Sequence, residues 1–262
     1  MKQLDVAVLG SGPAGLFAAL AALNNGCNVT IYSKDWQKPA PESAGVFVLH
    51  DSMDLPLESF FVREIAVGGT AADYAKKVYG DETVPTSFRP GNAIAYYYSG
   101  AKAIQLAWDI VSVSTGFRKK EVAGADLLLL SGLHQLVVNT IPLPLLMPSR
   151  TWPYAEAQVK TGEAPADESF ILQHANPSVP FYRCSAIGGT FVMETPLQPQ
   201  GKTPIEFSKK VRKVMPHNNG EFMEHIKGAL PNVVFTGRFG AWDKGKLSHS
   251  AFDDTVEAIH VV

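Results

Sequence analysis

The chain has 262 residues, a net charge of −2 at pH 7, and 46% hydrophobic against 18% charged residues. This composition is typical of a globular protein with a sizeable core, and it offers no strongly basic surface for nucleic acid or anionic membranes. No apolar run reaches the roughly 18 residues of a membrane span, and the first strand starts too early to leave room for a signal peptide. The only cysteines, Cys27 and Cys184, predict free thiols in a reducing compartment, so we expect a cytoplasmic protein without a metal site.

The first 33 residues predict a β-α-β unit. Residues 4–9 form an almost continuous apolar run, which is typical of a buried parallel strand. A helix is expected to begin at Pro13 and to end at Asn24-Asn25-Gly26, and residues 29–32 form the second strand. This order begins a doubly wound α/β fold.

The turn between the first strand and the helix carries the spacing Gly10-x-Gly12-x-x-Gly15. Gly10 permits the tight turn, Gly12 lets a diphosphate approach the backbone, and Gly15 allows close packing of helix and strand. An anion would rest on the N-terminus of the helix, beside the remaining residues of the turn, which are Ser11, Pro13 and Ala14.

The residue that ends the second strand is unusual for a dinucleotide site. FAD and NAD sites commonly place an acid there to bind the ribose hydroxyls, but this chain has Ser33, followed by Lys34 and Asp35. A serine contacts a ribose without charge assistance, Lys34 could meet the extra phosphate of NADPH, and Asp35 could take the place of the acid. The turn by itself therefore leaves the choice of dinucleotide open.

Periodicity and turn residues predict the later elements. Pro142 and Pro144 end a strand in a turn that begins at Thr140. In chain order, we expect a helix over 91–111, a strand over 136–138, a hairpin of 181–186 with 190–194, a helix over 205–214, a strand over 233–235, and a last helix that Ser250 and Asp253 open with a capping box.

Three short segments resemble one group of flavoproteins. The ending "VVFTGRFGAWDKGKLSH" is similar to the closing motif of two-dinucleotide-binding-domain flavoproteins such as UDP-galactopyranose mutase, protoporphyrinogen oxidase and flavin amine oxidases. "VVNTIP" is similar to their strand and turn that touch FAD, and "PFYRCS" to the strand whose arginine faces flavin and substrate. The short chain, with "GVFVLHD" and "TWPYAEA", looks most like small FAD-dependent oxidoreductases of tailed bacteriophages, some associated with hypermodified thymine bases.

The resemblance implies FAD as the cofactor and assigns roles to particular residues. Arg238 would pair with the diphosphate, and the amides before the last helix would face the flavin ring. The expected cofactor contacts beyond the first turn are Thr140, Gly237, Arg238, Gly245, Lys246 and Leu247. The candidate catalytic residues are Arg183, which the resemblance favours, and His249, Lys246 and Trp242, which their positions suggest.

Ordinary structural roles remain open for most of these side chains. Trp242 could be a core residue, His249 a hydrogen-bonding group at the start of a helix, and Arg238 half of a surface ion pair. His50 could line one face of the flavin or be a buried, hydrogen-bonded histidine.

The expected fold is α/β, a Rossmann-like FAD-binding domain with an interleaved, smaller β-rich region that covers the substrate. FAD-binding segments are expected at 1–60, 92–150 and 225–262, and substrate-covering segments at 61–91 and 151–224.

The expected function is an FAD-dependent oxidoreductase that oxidises a C–N bond of an amine or amino-acid-like group, on a small molecule or a modified nucleobase. A redox-neutral mutase that acts on a sugar nucleotide and a non-catalytic FAD- or NAD-binding protein are the alternatives.

Overall fold

The structure is a computed structural model that describes residues 3–39, 48–51, 53–165, 167–196, 209–216 and 220–262. Its first sheet has five parallel strands in the spatial order β13-β7-β1-β2-β6. The apolar runs of the central strands β1 and β7 are buried on both faces, as expected of a parallel sheet between helices. With elements numbered in chain order, the strands are β1 (Asp5–Leu9), β2 (Asn28–Ser33), β6 (Gly116–Lys119), β7 (Leu136–Asn139) and β13 (Val233–Phe235).

Helices cover both faces of this sheet. On one face α1 packs against α3 and α7, and every residue from Gly15 to Ala22 of α1 is buried. On the other face apolar side chains of α4, α5 and α6 pack on the sheet. These helices are α1 (Pro13–Asn24), α3 (Gly100–Ser114), α4 (Gly124–Leu133), α5 (Leu143–Leu146), α6 (Gly220–Ala229) and α7 (Ser250–Val261).

The second sheet has eight strands in the order β12-β8-β11-β10-β9-β4-β5-β3. Neighbouring strands are antiparallel except β4 and β9, which are parallel. The helix α2 (Ala71–Tyr79) packs on this sheet through Tyr74 and Val78. The strands are β3 (Val48–His50), β4 (Phe60–Val67), β5 (Gly91–Ser99), β8 (Tyr154–Glu163), β9 (Ser169–His174), β10 (Arg183–Ile187), β11 (Thr190–Pro196) and β12 (Lys209–Pro216).

The fold class predicted from the sequence is confirmed, and so are the elements of the first β-α-β unit, the strand over 136–138, the hairpin and the strand over 233–235. None of the described helices is both long and apolar enough to cross a membrane. The described residues also contain no cluster of histidine, cysteine, aspartate and glutamate suited to a metal ion.

The predicted helix over 91–111 is wrong in its first half. Residues 91–99 form β5, which pairs with β4 and β3, and α3 begins only at Gly100, where the Ser99 side chain accepts a hydrogen bond from the amide of Lys102. The run Tyr96-Tyr97-Tyr98 suits a strand, and the pairing partners on both sides decide in its favour. The expected second FAD-binding segment, 92–150, thus begins with a strand of the second sheet.

Two other local predictions are also wrong. Of the helix expected over 205–214, residues 205–208 lie outside the described residues, and the rest belongs to β12, which pairs antiparallel with β8. The expected capping box of α7 is absent, because His249 is the N-cap residue and makes no side-chain cap. The Ser250 hydroxyl instead accepts a hydrogen bond from the amide of Leu247. Residues 45–47 of "GVFVLHD" also lie outside the described residues.

Candidate functional site

The glycine turn between β1 and α1 leaves no room for side chains at two of its positions. Gly10 has φ of 98°, and a Cβ there would lie 2.7 Å from the Oγ1 of Thr140. A Cβ on Gly15 would lie 2.0 Å from the carbonyl oxygen of Gly10. The glycines therefore let the start of α1 approach the end of β7 closely.

Gly12 differs from Gly10 and Gly15 in its surroundings. A Cβ on Gly12 would meet no atom within 4 Å, so the space in front of this residue is open. Gly12 is the N-cap of α1, with Pro13 in the first turn, and no side chain caps the helix. The first amides of α1 are thus available to an anion, and the positive end of the helix dipole favours one. This arrangement fits the diphosphate of a dinucleotide.

The end of β2 is fastened to the same turn. The hydroxyl oxygens of Ser11 and Ser33 lie 2.9 Å apart, and Ser11 donates a hydrogen bond to the carbonyl of Asp35 at 2.8 Å. Lys34 is exposed and lies 3.7 Å from Glu121. Ser33 thus contributes to the shape of the turn, and the predicted ribose and phosphate contacts of Ser33 and Lys34 stay predictions.

The loop between β13 and α7, residues 236–249, also borders the glycine turn. Gly237 has φ of 69°, and a Cβ there would lie 2.7 Å from the Cβ of Ala14. A Cβ on Gly240 would lie 2.6 Å from the carbonyl oxygen of Asn139. The loop is therefore pressed against both the start of α1 and the end of β7, so three segments that are far apart in the sequence meet at one point.

Asp254 of α7 fastens this loop. It accepts hydrogen bonds from the Thr236 hydroxyl at 2.5 Å and from Lys246 Nζ at 2.6 Å. Lys246 and Asp254 also line a groove of about 550 Å³ beside β13. The Gly245 amide donates to Asp243 at 2.8 Å, within the loop. The expected flavin contacts of Gly245, Lys246 and Leu247 stay predictions, and the structure gives Lys246 a carboxylate partner.

Trp242 is buried in a core that side chains of the helices α4, α5 and α6 form with the first sheet. Its indole nitrogen donates to the carbonyl of Pro153 at 2.8 Å, and its ring lies 5.8 Å from the ring of Trp152. Its φ of 49° is uncommon for a bulky residue, and these contacts hold it there. Trp242 therefore has the core position that was its alternative role, and its predicted catalytic role stays untested.

His249 faces the second sheet. Its ring lies 5.3 Å from the ring of His50, and the His50 ring lies 4.5 Å from that of Tyr97 in a tilted arrangement. The Tyr97 hydroxyl donates a hydrogen bond to Glu64. The Nδ1 of His249 is buried without a hydrogen-bond partner among the described residues. Burial, with a further contribution from His50, lowers the pKa of His249 to about 4, so its imidazole is neutral near pH 7.

Arg183 and its cross-strand neighbour Glu194 form an ion pair on the second sheet. The Nη1 of Arg183 donates to Oε1 of Glu194 at 3.1 Å, and the Tyr182 hydroxyl donates to Oε2 at 2.5 Å. The side chain of Glu194 is only 7% exposed, whereas that of Arg183 is 32% exposed. Burial opposes the charge of Arg183, but Glu194 and nearby tyrosines outweigh it, and the pKa of Arg183 is raised above its ordinary value.

Arg238, on the loop that follows β13, lies near this ion pair. Burial lowers the pKa of Arg238, while Glu194 opposes that shift and the charge of Arg183 adds to it. The charges of Glu194 and Arg183 therefore both act on Arg238, an influence that their positions in the sequence do not suggest.

Three residues of this region escape sequence reasoning. Asn139 is fully buried and donates hydrogen bonds to the carbonyls of Ile141 and Gly240, which ties β7 to the loop. Glu194 pairs with Arg183, and Asp254 binds the loop 236–249 through Thr236 and Lys246. In the sequence, Asn139 is marked only as a polar residue at the end of an apolar strand. No sequence motif marks Glu194 or Asp254.

Comparison with known families identifies the cofactor. A family model described as an FAD binding domain matches residues 5–58, the segment that contains the glycine turn and the end of β2. FAD is therefore the dinucleotide of this site, as the resemblance in the sequence implies. No curated protein matches the chain.

Solved structures share the fold across nearly the whole chain. 2,6-dihydroxypyridine-3-hydroxylase from Arthrobacter nicotinovorans superposes with a TM-score of 0.50 at 12% identity, covering 99% of this chain and 83% of that one. CtdE in complex with FAD and its substrate 4 superposes with a TM-score of 0.52 at 9% identity, covering 98% and 80%. At such low identity these matches establish the fold alone.

Proposed function

We propose that the chain is an FAD-dependent oxidoreductase that acts on a small organic substrate bound beside the second sheet. The observation that carries this proposal is the meeting of the glycine turn, the end of β7 and the loop 236–249 at the start of α1. On this loop, His249 lies next to His50 of the second sheet, and the charges of Glu194 and Arg183 of that sheet act on Arg238. FAD supplies the two-electron acceptor when it is bound.

The reaction that we propose is oxidation of a C–N bond in an amine or amino-acid-like group, on a free small molecule or a modified nucleobase. The carbon loses a hydride, the nitrogen lone pair forms the C=N bond, and water then hydrolyses the imine. The "GRFGAW" ending supports this proposal through its resemblance to a closing motif that flavin amine oxidases share. The arginine of "PFYRCS" supports it through its resemblance to the mutase-type strand whose arginine faces flavin and substrate. The electrons leave to oxygen, giving hydrogen peroxide, or to a partner acceptor.

The chain's own residues have defined parts in this scheme. The neutral imidazole of His249 can accept a hydrogen bond from the substrate amine through its unprotonated nitrogen. The apolar core around Trp242 and the buried strand ends exclude water from one side of the site. The predicted catalytic roles of Arg183, His249, Lys246 and Trp242 form part of this proposal.

Hydroxylation is the second candidate, because the fold is shared with a protein named as a 2,6-dihydroxypyridine hydroxylase. Insertion of one oxygen atom from O₂ consumes two electrons from an external donor, whereas oxidation of a C–N bond releases two electrons from the substrate. The two candidates therefore differ in what reduces the flavin.

The test begins with the visible spectrum of the purified protein and with identification of the heat-released chromophore. The protein is then mixed anaerobically with a panel of amines and amino acids, and the flavin band is followed. We expect bound FAD, bleaching by one class of these compounds, and hydrogen peroxide or reduction of an added acceptor once an oxidant is admitted. A colourless preparation that does not take up FAD would overturn the proposal.

A further inference from the structure

The hydroxyl groups of Ser11 and Ser33 join the glycine turn to the end of β2 in one fixed arrangement. Their oxygens lie 2.9 Å apart, and the Ser11 oxygen also lies 2.8 Å from the carbonyl oxygen of Asp35. A carbonyl oxygen only accepts hydrogen bonds, so Ser11 must give it the single hydrogen of its hydroxyl. In the contact between the two serines, Ser33 is therefore the donor and Ser11 the acceptor.

This direction leaves the Ser33 hydroxyl with free lone pairs but with no hydrogen to donate to a ligand. Its side chain is half-buried, and within the described part of the chain its oxygen has no hydrogen-bond partner other than Ser11. The orientation of the hydroxyl is set before a ligand arrives, because rotation would break the bond to Ser11. Ser33 therefore offers a ligand a fixed hydrogen-bond acceptor, as an acid would at this position, although it carries no charge.

Three backbone acceptors at the end of β2 already have partners. The carbonyl of Tyr32 accepts a hydrogen bond from the amide of Gly10 at 2.9 Å, and the carbonyl of Ser33 accepts one from the amide of Lys120 at 2.9 Å. The carbonyl of Asp35 accepts the serine hydroxyl described above. Among the three side chains that follow Tyr32, the acceptors are the Ser33 hydroxyl and the exposed carboxylate of Asp35.

We propose that the Ser33 hydroxyl, held in place by Ser11, accepts a hydrogen bond from a hydroxyl of the adenosine ribose of FAD. The ribose is bonded directly to the diphosphate, and the first amides of α1 provide the diphosphate site next to Ser11. An acid commonly makes this contact in dinucleotide sites. A pair of serines thus replaces the acid in this chain, and the contact involves no charged group. This inference concerns the cofactor and is independent of the reaction that the flavin carries out.

Ser33 is favoured over Asp35 as the ribose contact because it is bonded to the turn itself. The Ser33 oxygen contacts a residue of the glycine motif, whereas the Asp35 side chain is exposed and lies two residues beyond the end of β2. The backbone of Asp35 still has a part, since its carbonyl takes the hydrogen of Ser11 and so sets the direction of the serine pair. Removal of the Asp35 side chain leaves that carbonyl in place, so the two residues can be tested separately.

The test compares FAD with its 2′,3′-dideoxyadenosine analogue, which lacks both hydroxyls of the adenosine ribose. Each compound is titrated calorimetrically into the flavin-free, full-length protein, and the ratio of the two dissociation constants is the ribose discrimination. Ser33→Ala removes the acceptor, Ser11→Ala removes the group that orients it, and Ser33→Asp introduces the common acid. Asp35→Ala is the matched control, because it removes a neighbouring side chain and keeps the carbonyl.

We expect the wild type to bind FAD about 3- to 10-fold more tightly than the analogue, the range for one hydrogen bond between uncharged groups. Ser33→Ala should bind both compounds equally. Ser11→Ala should keep part of the discrimination, since the Ser33 hydroxyl is still present but is free to rotate. Ser33→Asp should discriminate more than the wild type, because its acceptor is charged. Asp35→Ala should discriminate like the wild type.

Two results would overturn the inference. The first is equal binding of FAD and the analogue by the wild type. The second is unchanged discrimination in Ser33→Ala, and its loss in Asp35→Ala would then assign the ribose to the aspartate. Melting temperatures identify a variant that fails to fold; if Ser33→Ala does so, Ser33→Asp decides, because discrimination no greater than that of the wild type contradicts the proposal. A protein that discriminates as expected but oxidises no amine would retain this contact and lose the proposed reaction.

Discussion

At the scale of single residues, the glycines of the first turn differ in what a side chain would meet. At Gly15 it would collide with the backbone of Gly10, whereas at Gly12 it would enter open space. The motif therefore combines a packing requirement at Gly15 with an expected ligand requirement at Gly12, and mutagenesis can separate the two.

Gly12→Val should leave the fold intact and remove the cofactor. The valine would touch nothing in the protein but would occupy the space of the diphosphate, so FAD affinity should fall at least about 100-fold, equal to ~2.7 kcal/mol. Flavin content after purification and the melting temperature of the apoprotein measure the two effects. Gly162→Val, also in open space, is the control and should retain FAD. A yellow Gly12→Val protein with full flavin content would remove this residue from the site.

His249 should make the stability of the apoprotein depend on pH. Its pKa in the folded protein is about 4, against an ordinary value of 6.5. As the pH falls through 6.5 the unfolded chain takes up a proton that the folded imidazole refuses, so stability is lost on acidification. From these values, the loss between pH 7 and pH 5 is about 2 kcal/mol.

Urea unfolding at both pH values measures this contribution as the difference between the wild type and His249→Gln. His260→Gln, at the exposed end of α7, is the control and should keep the pH dependence of the wild type. If His249→Gln loses as much stability on acidification as the wild type does, His249 is not the group responsible.

At the scale of elements, α7 acts as an anchor for the loop 236–249. Asp254 accepts one hydrogen bond from Thr236 at the start of the loop and another from Lys246 near its end. The preceding residue, Asp253, is exposed, and burial together with repulsion from Asp254 raises its pKa. We therefore expect substitution of Asp254 to affect the protein much more than substitution of its neighbour Asp253.

Asp254→Ala should lower the free energy of unfolding by about 2–3 kcal/mol, because two donors lose a charged acceptor. It should also speed the dissociation of FAD, since the loop packs on the start of α1. Asp253→Ala should change stability by less than about 0.5 kcal/mol, as is usual for surface substitutions. Denaturant titration and the rate of flavin release measure both variants. Equal effects of the two substitutions would contradict the anchoring role.

At the scale of the whole molecule, one parallel sheet carries the dinucleotide turn, and the second sheet is largely antiparallel. The described residues contain a single β-α-β unit with a glycine turn, formed by β1, α1 and β2. A separate unit that could dock a nicotinamide cofactor is thus missing from the described parts of the chain.

The proposed oxidation of a C–N bond requires the substrate, rather than NADH or NADPH, to reduce the flavin. Anaerobic mixing with each nicotinamide should leave the flavin band unchanged over the time in which a good substrate bleaches it. Dithionite is the control, since it should bleach the flavin in every sample. Rapid bleaching by NADPH would favour hydroxylation instead and would make Lys34 the suspected phosphate contact.

The sequence by itself determined the first β-α-β unit and its dinucleotide turn, because these depend on local features. The apolar run of β1, the glycines at positions 10, 12 and 15, and Pro13 act through neighbours within one turn of the chain. The hairpin of β10 and β11 was predictable for the same reason, since Gly188 and Gly189, which form its turn, both have positive φ.

Only the tertiary structure decided how the second sheet is built and which side chains meet at the site. Residues 91–99 and 209–216 become strands because partners from distant segments pair with them, and pairing energy outweighs local helical spacing. The charge of Arg183 acts on Arg238, and Asp254 accepts hydrogen bonds from Thr236 and Lys246. No short motif links these positions in the sequence. Contacts of this kind depend on where the whole chain folds, so a sequence pattern reveals the residue types but not their partners.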